Sequence, residues 1–226
     1  MPELKLHHVH PWDVTPEEAV RIQEQLAALV REEPLQHPVR SVGGIDVSMR
    51  GDHARAAVVV LRMPECTVVE WATYEDQVAF PYIPGLLSFR EVPVIIPALE
   101  RLSALPDLLM TDSQGRAHPR RLGLASHLGV LLEWPTVGVA KSRLTGYYRM
   151  PGPEKGSWTY LKDGDEIIGA VVRTRTGVKP VFVSVGHRIM LQEAIELTLQ
   201  TTTRYRLPEP TRLAHHLSKR GYLPRH

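Results

Sequence analysis

The chain has 226 residues, a formal net charge of +2 and one cysteine, Cys66. A lone cysteine excludes an internal disulfide framework and a cysteine-ligated zinc site, and it fits a reducing compartment. No apolar run approaches the roughly 20 residues that span a bilayer, and the N-terminus lacks the pattern of a signal peptide. The sequence therefore predicts a cytoplasmic protein with a single domain, residues 1–226, whose core covers about residues 40–200.

Basic residues concentrate in the C-terminal segment. From residue 204 onward, six arginines and lysines stand against one acid, with a basic helix predicted over about residues 209–220. Arginine outnumbers lysine 21 to 6 in the whole chain, and its planar guanidinium suits phosphate oxygens. This excess indicates either a phosphate-bearing partner or the codon usage of a GC-rich genome, and composition alone favours the second explanation.

The first part of the chain predicts one helix and a β-meander. Thr15, Pro16 and Glu18 match the N-cap, the first-turn proline and the capping-box glutamate of a helix that we expect to reach about Glu33. Three β-prone runs follow, and their connections are so short that they can join only antiparallel neighbours. These runs are Arg40–Ser48, Ala54–Leu61 and Cys66–Tyr74.

Helices and strands alternate after the meander. A helix is favoured between Val92 and Leu105, although its two prolines require a late start or a kink. Asp107–Thr111 and Thr136–Ala140 are short apolar runs typical of strands covered on both faces, with a helix between them that starts at His118–Arg121. The order β-β-β-α-β-α-β predicts an α/β fold: a mixed sheet, in which an antiparallel meander precedes parallel crossovers, with helices on both faces.

The last part of the chain is less regular. Three further strands are predicted, which could form a small edge sheet, and two helices close the fold. The strands are Trp158–Leu161, Glu166–Arg173 and Val181–Ser184, and the helices are Arg188–Leu199 and Pro210–Lys219.

Three acids lie on separate predicted elements. Asp46 stands inside the apolar run VGGIDVSM, Glu91 follows the stiff segment PYIPGLLSFR, and Asp112 ends a strand. The carboxyl ends of parallel strands face one rim of a sheet, so Asp112 and Lys141 should meet there, and Asp46 joins them if its strand is adjacent. Carboxylates that converge without cysteine ligands indicate a site for a hard cation, Mg²⁺ or Mn²⁺.

Each acid also has a purely structural explanation. Asp46 would need a compensating partner in an apolar strand, which favours a functional role. Ser88 and Glu91 have capping-box spacing, and Asp112 opens a turn signature, Asp-Ser-Gln-Gly, so both interpretations stay open for these two acids. The metal hypothesis depends on all three acids occurring together.

Phosphodiester hydrolysis is the chemistry that such a site favours. A divalent cation relieves the repulsion between carboxylates and activates water for attack on phosphorus. Lys141 could face the scissile phosphate or remain solvated, and His215 or His216 could contact the metal shell through water. The N-terminal histidines of LHHVH are expected to be incidental residues of an exposed terminus.

Four ordered motifs resemble the endonuclease V family, the deoxyinosine-specific endonucleases. They are PYIPGLLSFRE, AHPRRLGLASHLGV, GVAKSRL and RLPEPTRLAH, and the resemblance extends from about residue 41 to residue 216. It implies a ribonuclease H-like fold and a monomer that binds DNA containing deoxyinosine, with no membrane partner. Members nick the second phosphodiester 3′ of the lesion, leaving 3′-hydroxyl and 5′-phosphate ends, and some cut inosine-containing RNA. The implied catalytic residues are Asp46, Glu91, Asp112, Lys141 and His215, of which the three acids hold Mg²⁺.

The resemblance also implies a base-recognition region. Tyr82 is expected to wedge into the base stack that the lesion vacates. The expected substrate-binding residues are Tyr82, Ile83, Pro84, Gly85, Leu87, Ser113, Gly115, His118 and Gly123. Two positions depart from the family pattern: Ser113 stands where Asp-Gly-x-Gly has glycine, and Val185 replaces the proline of Ser-Pro-Gly-His, which predicts a less rigid turn.

Two alternatives remain open at this point. Within the same fold, the protein could be an inosine-specific endoribonuclease or another structure-specific nuclease. In a different class, it could be a nucleic-acid-binding module without catalysis. The complete acid trio and Lys141 argue against the module.

Overall fold

A single twisted sheet organises the computed structural model, which describes residues 4–223. The sheet contains nine strands in the order β3-β2-β1-β4-β5-β9-β8-β7-β6. The strands are β1 Ser41–Arg50, β2 His53–Arg62, β3 Thr67–Gln77, β4 Leu108–Thr111, β5 Thr136–Ala140, β6 Tyr147–Tyr148, β7 Trp158–Asp163, β8 Glu166–Val172 and β9 Val181–His187. The helices are α1 Pro16–Ala27, α2 Ser88–Glu100, α3 Leu124–Leu132, α4 Leu191–Gln200 and α5 Glu209–Arg220.

The strand pairing confirms the predicted mixed topology. β1, β2 and β3 form an antiparallel meander, while β1, β4 and β5 are parallel neighbours. The prediction of a separate edge sheet is wrong, because β9 pairs with β5 and extends the same sheet through β8, β7 and β6. The strand β9 is buried throughout, so it covers an edge of β5 that would otherwise expose unpaired backbone groups.

Helices cover both faces of the sheet. α2 and α3 pack on one face, where Leu99 and Leu128 join Ile45 in the largest apolar cluster. On the other face, Ile195 of α4 and Leu213 of α5 belong to two further clusters. Each such side chain contributes about 1.5–3 kcal/mol when fully buried. No helix within residues 4–223 has the length and apolar character to cross a bilayer.

The capping box of α1 is confirmed, but the helix is shorter than predicted. The Thr15 side chain accepts from the Glu18 amide, and the Glu18 carboxylate accepts from the Thr15 amide. The helix ends at Ala27 instead of near Glu33. The amide of Arg31 donates to His187 Nδ1, 3.2 Å away, and the Arg31 carbonyl accepts from Arg188. These tertiary hydrogen bonds hold the segment in an extended path.

Two other helices begin away from the predicted residues. α2 starts at Ser88, so both of its prolines lie inside it and the expected late start is wrong. α3 starts at Leu124, six residues after the predicted start at His118. Arg121 has a φ of 57°, a left-handed conformation that a helix cannot contain. Residues 118–121 therefore form a turn that leads into α3.

Gly44 allows α5 to cross closely over β1. A Cβ at this position would lie 2.1 Å from the Pro210 carbonyl oxygen, on backbone that cannot rotate away. We expect Gly44→Ala to lower the free energy of unfolding by at least about 1–3 kcal/mol, the usual cost of overpacking, as measured by urea denaturation. Gly152→Ala is the control, because its Cβ would meet only the flexible Ser157 side chain at 3.2 Å. Equal losses in the two variants would contradict this interpretation.

Candidate active site

Parallel pairing of β1 and β4 brings two of the predicted acids together. Ile45 pairs with Thr111, so Asp46 and Asp112 follow as neighbours at the rim of the sheet. α5 crosses the same rim and places His215 Nδ1 3.3 Å from an Asp46 carboxylate oxygen. One ligand atom from each of Asp46, Asp112 and His215 lies within 4.8 Å of the others. The rim can therefore offer three ligands to a single ion.

Glu91 faces this cluster from the first turn of α2. Burial and, after it, the nearby carboxylates of Asp46 and Asp112 together raise the pKa of its carboxyl from 4.5 to about 8. The capping-box explanation fails, because the helix is capped at Leu87 without a side-chain hydrogen bond and Ser88 Oγ instead contacts His127. No capping interaction from the described residues holds Glu91, but its carboxylate is not among the three ligand groups that lie within 4.8 Å of one another.

The donor set fits a hard divalent cation. Burial raises the pKa of Asp46, and the Asp112 carboxylate adds to that effect, while the hydrogen bond from Ser218 and the nearby His215 ring oppose it. His215 Nδ1 is buried, and within residues 4–223 it makes no well-formed hydrogen bond. A cation would neutralise the crowded carboxylates and give this nitrogen a partner.

Lys141 occupies the same rim at the end of β5. Its Nζ forms an ion pair with Asp112, whose side chain is nearly buried. Among residues 4–223, the Asp112 carboxylate accepts from Lys141 and makes no hydrogen bond to the backbone of its own turn, which argues against the Asx-turn explanation. Arg206 donates to the Lys141 carbonyl at 2.6 Å and fixes the backbone from which the lysine projects.

The structure decides between His215 and His216 and corrects one expectation about the N-terminal histidines. The ring of His216 turns away from the rim, and its Nδ1 instead bonds to the Tyr222 carbonyl. His216 is therefore no candidate for the metal shell. His10 is not on an exposed terminus: it packs between Trp12 and Phe89, and its Nε2 lies 2.8 Å from that of buried His127. The N-terminal segment is therefore part of the packed structure behind α2.

A cavity of about 160 Å³ adjoins the rim. It is lined by eight of the nine predicted substrate-binding residues. Six further residues, which were not predicted to bind substrate, also line it: Gln23, Ser88, Gln114, Leu122, Leu124 and Leu144. Gly115 is the exception, since it packs against the Val185 carbonyl, where a Cβ would lie 2.1 Å away. Tyr82 is 73% exposed at the mouth, as a residue that contacts an external ligand should be.

Side chains from distant elements hold the loop over this cavity. Gly85 has a φ of 83°, which favours glycine, and its carbonyl accepts hydrogen bonds from His118, Arg120 and Gln23. Burial, followed by the nearby Arg120 charge, lowers the pKa of His118 to about 4, so its neutral ring donates through Nε2. Gln23 lies on α1, far from Gly85 in the chain, and no sequence spacing could have identified this contact.

Val185, which stands where the family pattern has proline, lies in a strand and not in the expected turn. Ser184 to His187 belong to the buried strand β9, so the predicted flexible turn is wrong. Ser184 Oγ accepts from the Gly115 amide at 2.9 Å, and Val185 lies against the same loop. This strand supports the loop after Asp112.

Comparisons with known proteins agree with this architecture. The family model described as Endonuclease V matches residues 24–216. An endonuclease V of Trichormus variabilis is 50% identical over 218 residues, which cover 95% of this chain and 99% of the relative. The crystal structure of endonuclease V from Streptomyces avermitilis is 46% identical with a TM-score of 0.89, covering 93% of this chain and 94% of that one.

A third comparison concerns a solved complex. Endonuclease V of Ciona intestinalis, crystallised with a 24mer DNA containing an inosine followed by a ribo-adenosine, has a TM-score of 0.79 and 29% identity. The alignment covers 91% of this chain and 96% of that one. The fold is thus the ribonuclease H-like fold that the resemblance implied. With the family model matching most of its length, the chain belongs to the endonuclease V family.

Proposed function

We propose that the protein is a metal-dependent DNA repair endonuclease that recognises deoxyinosine, the product of adenine deamination. It hydrolyses the second phosphodiester bond 3′ of the lesion, leaving 3′-hydroxyl and 5′-phosphate ends. The observation that carries the proposal is the group formed by Asp46, Asp112 and His215 at one rim of the sheet, next to a cavity lined by the Tyr82 loop.

The rim residues have different roles in the proposed reaction. Asp46, Glu91 and Asp112 would hold Mg²⁺, for which Mn²⁺ can substitute, with His215 beside them. When bound, the ion supplies a Lewis acid for the phosphate and lowers the pKa of water. Lys141 binds the scissile phosphate or orients the attacking water with its ammonium group, which Asp112 keeps at the rim. The ammonium group of Lys141 also offsets the negative charge that develops on the phosphate in the transition state.

Extrusion of the damaged base explains how the lesion is selected. Hypoxanthine pairs weakly with most partners, so it leaves the stack at a lower free-energy cost than a well-paired base. Backbone groups near Gly85, Leu87 and Ser113 can contact the edge of the extruded base in the cavity. The exposed ring of Tyr82 stacks in the vacated position.

Removal of this ring should weaken lesion binding. We expect Tyr82→Ala to lower the affinity for deoxyinosine DNA by roughly 1–3 kcal/mol, the scale of one stacking contact. Fluorescence anisotropy in chelator, where no cleavage occurs, measures the effect. Tyr147→Ala is a matched control, because Tyr147 is also exposed but does not line the cavity. Undiminished binding by Tyr82→Ala would remove the wedge role.

An oligonucleotide panel tests the function directly. DNA and RNA strands, with and without one inosine, are incubated with Mg²⁺, Mn²⁺ or chelator, and the product ends are mapped. We expect one nick in inosine-containing DNA that depends on the cation. Exclusive cleavage of RNA would identify an endoribonuclease, and lesion binding without a nick in any metal would identify a binding module.

We further propose that the chain acts as a monomeric, single-domain enzyme in the cytoplasm. One continuous sheet joins all strands of the described residues, which supports a single folding unit. The lone Cys66 fits a reducing compartment. Light scattering of the purified protein and cell fractionation test the two statements.

A further inference from the structure

Gln114, one of the residues that line the cavity, carries a hydrogen-bond acceptor whose orientation is fixed. Its side chain is 8% exposed and lines the cavity next to Ser113. The amide Nε2 donates to the Ser142 carbonyl at 2.9 Å, which fixes the orientation of the group. Oε1 is buried, and it has no hydrogen-bond partner among residues 4–223. A buried acceptor without a donor costs about 1–3 kcal/mol, so a ligand that supplies an N–H group would relieve it.

Ser88 offers a second acceptor, because a chain of hydrogen bonds orients its hydroxyl. His10 Nδ1 lies 2.9 Å from the Pro11 carbonyl, which can only accept, so this nitrogen carries the proton. Burial lowers the pKa of both His10 and His127, that of His127 to about 3, and both rings are neutral. His10 Nε2 must then accept from His127 Nε2 at 2.8 Å.

The protonation of His127 also fixes the direction of its hydrogen bond with Ser88. With its proton on Nε2, His127 presents Nδ1 as an acceptor, 2.9 Å from Ser88 Oγ. The hydroxyl hydrogen of Ser88 therefore points to His127, and Oγ can only accept from any further group. Ser88 lines the cavity and is 2% exposed. Two separate hydrogen-bond networks thus orient Gln114 Oε1 and Ser88 Oγ as acceptors. The hydroxyl hydrogen of Ser88 is not available to a ligand.

We infer that Gln114 and Ser88 determine specificity by accepting a ring N–H of the extruded base. The inference rests on the proposed function and adds the chemical feature that is read. Hypoxanthine carries a hydrogen on N1, whereas adenine has a lone pair there, which would oppose a fixed acceptor. A site built to bind a donor rejects an analogue that lacks it, because its own polar groups are left unpaired. The pocket distinguishes the deaminated base from its parent in this way.

Binding of two matched lesions tests the inference. Deoxynebularine also pairs weakly, but its unsubstituted N1 has a lone pair and no hydrogen. We expect the wild-type protein to bind deoxyinosine DNA more tightly than deoxynebularine DNA. Gln114→Met, which keeps the length of the side chain, should weaken deoxyinosine binding about tenfold, the scale of one buried hydrogen bond, and should leave deoxynebularine binding unchanged. Ser88→Ala should act in the same direction.

The controls separate this inference from the proposed function and from loss of folding. Gln36→Met is the matched variant: Gln36 is exposed and also donates its amide to a backbone carbonyl, that of Pro34. Circular dichroism and the thermal midpoint establish that each variant folds. Equal losses for both lesions, or none, would overturn the inference, as would wild-type protein that binds both lesions alike. Failure of wild-type protein to nick deoxyinosine DNA would instead reject the function.

Discussion

Asp46→Asn is expected to abolish cleavage of deoxyinosine DNA while leaving most of its binding intact. The amide keeps the shape of the side chain but loses the charge that holds the cation. Metal-dependent stabilisation of the transition state amounts to several kcal/mol, so the rate should fall by about 10³-fold or more. Single-turnover cleavage in Mg²⁺ and anisotropy in chelator measure the two quantities separately. Asp46 does not line the cavity beside the Tyr82 loop, which is why base binding should persist.

Folding of this variant should not be impaired. Burial raises the pKa of Asp46, so the ionised group destabilises the metal-free protein, and a neutral amide removes that effect. The Ser218 hydroxyl can still donate to the amide oxygen, as it does to the carboxylate. Asp165→Asn, in the exposed turn between β7 and β8, is the control and should cut at the wild-type rate. Full activity of Asp46→Asn would show that the cation is held elsewhere.

The stability of the metal-free protein should fall as the pH rises from about 4.5 to about 8. Over this window the carboxyl of Glu91 stays protonated in the folded state and is ionised in the unfolded chain, because its folded pKa is about 8. The folded state therefore binds more protons, and its stability decreases with pH. The full difference in pKa corresponds to a loss on the order of 5 kcal/mol. Saturating Mg²⁺ favours the ionised carboxylate and should flatten the profile.

Urea denaturation across this pH range, in chelator and in Mg²⁺, measures the effect. Glu91→Gln provides the comparison, because it removes the titrating group while keeping its size. The difference between the wild-type and variant profiles in chelator isolates Glu91 from the other titrating residues. Superimposable wild-type profiles with and without Mg²⁺ would contradict a shared cation at this rim, and a full pH-dependent loss in Glu91→Gln would assign the titration to another residue.

Much of the core could be predicted from the sequence because it follows from short-range rules. Tight connections force antiparallel pairing, and buried apolar runs separated by helices force parallel crossovers. These two rules predicted that Asp112 and Lys141 meet at one rim, whereas Asp46 could be placed there only on the condition that β1 pairs with β4, which the structure confirms. The predicted helix start at Thr15 succeeded for the same reason, since a capping box is a local pattern.

The failures come from residues whose partners lie far away in the chain. The spacing of Ser88 and Glu91 fits a capping box, but His127, which is 39 residues away, takes the serine hydroxyl. The edge sheet was mispredicted because pairing between β9 and β5 joins segments that no local pattern relates. Gln114 could not be predicted as a binding residue, because its Oε1 is left without a partner only when the Ser142 carbonyl accepts from its amide nitrogen. The orientations of the Ser88 and Gln114 side chains depend on tertiary contacts, which local sequence patterns do not encode.

The close crossing of α5 over β1 means that the group formed by Asp46, Asp112 and His215 is complete only after α5 has been synthesised and has packed on the sheet. Asp46 is translated early, whereas the imidazole of His215 arrives only with the helix that seats Pro210 against Gly44. Domains fold as units once their segments have emerged from the ribosome. A nascent chain without residues 209–220 would leave β1 uncovered at Gly44 and would lack the His215 imidazole. We therefore expect that products truncated before α5 leave nucleic acid uncut.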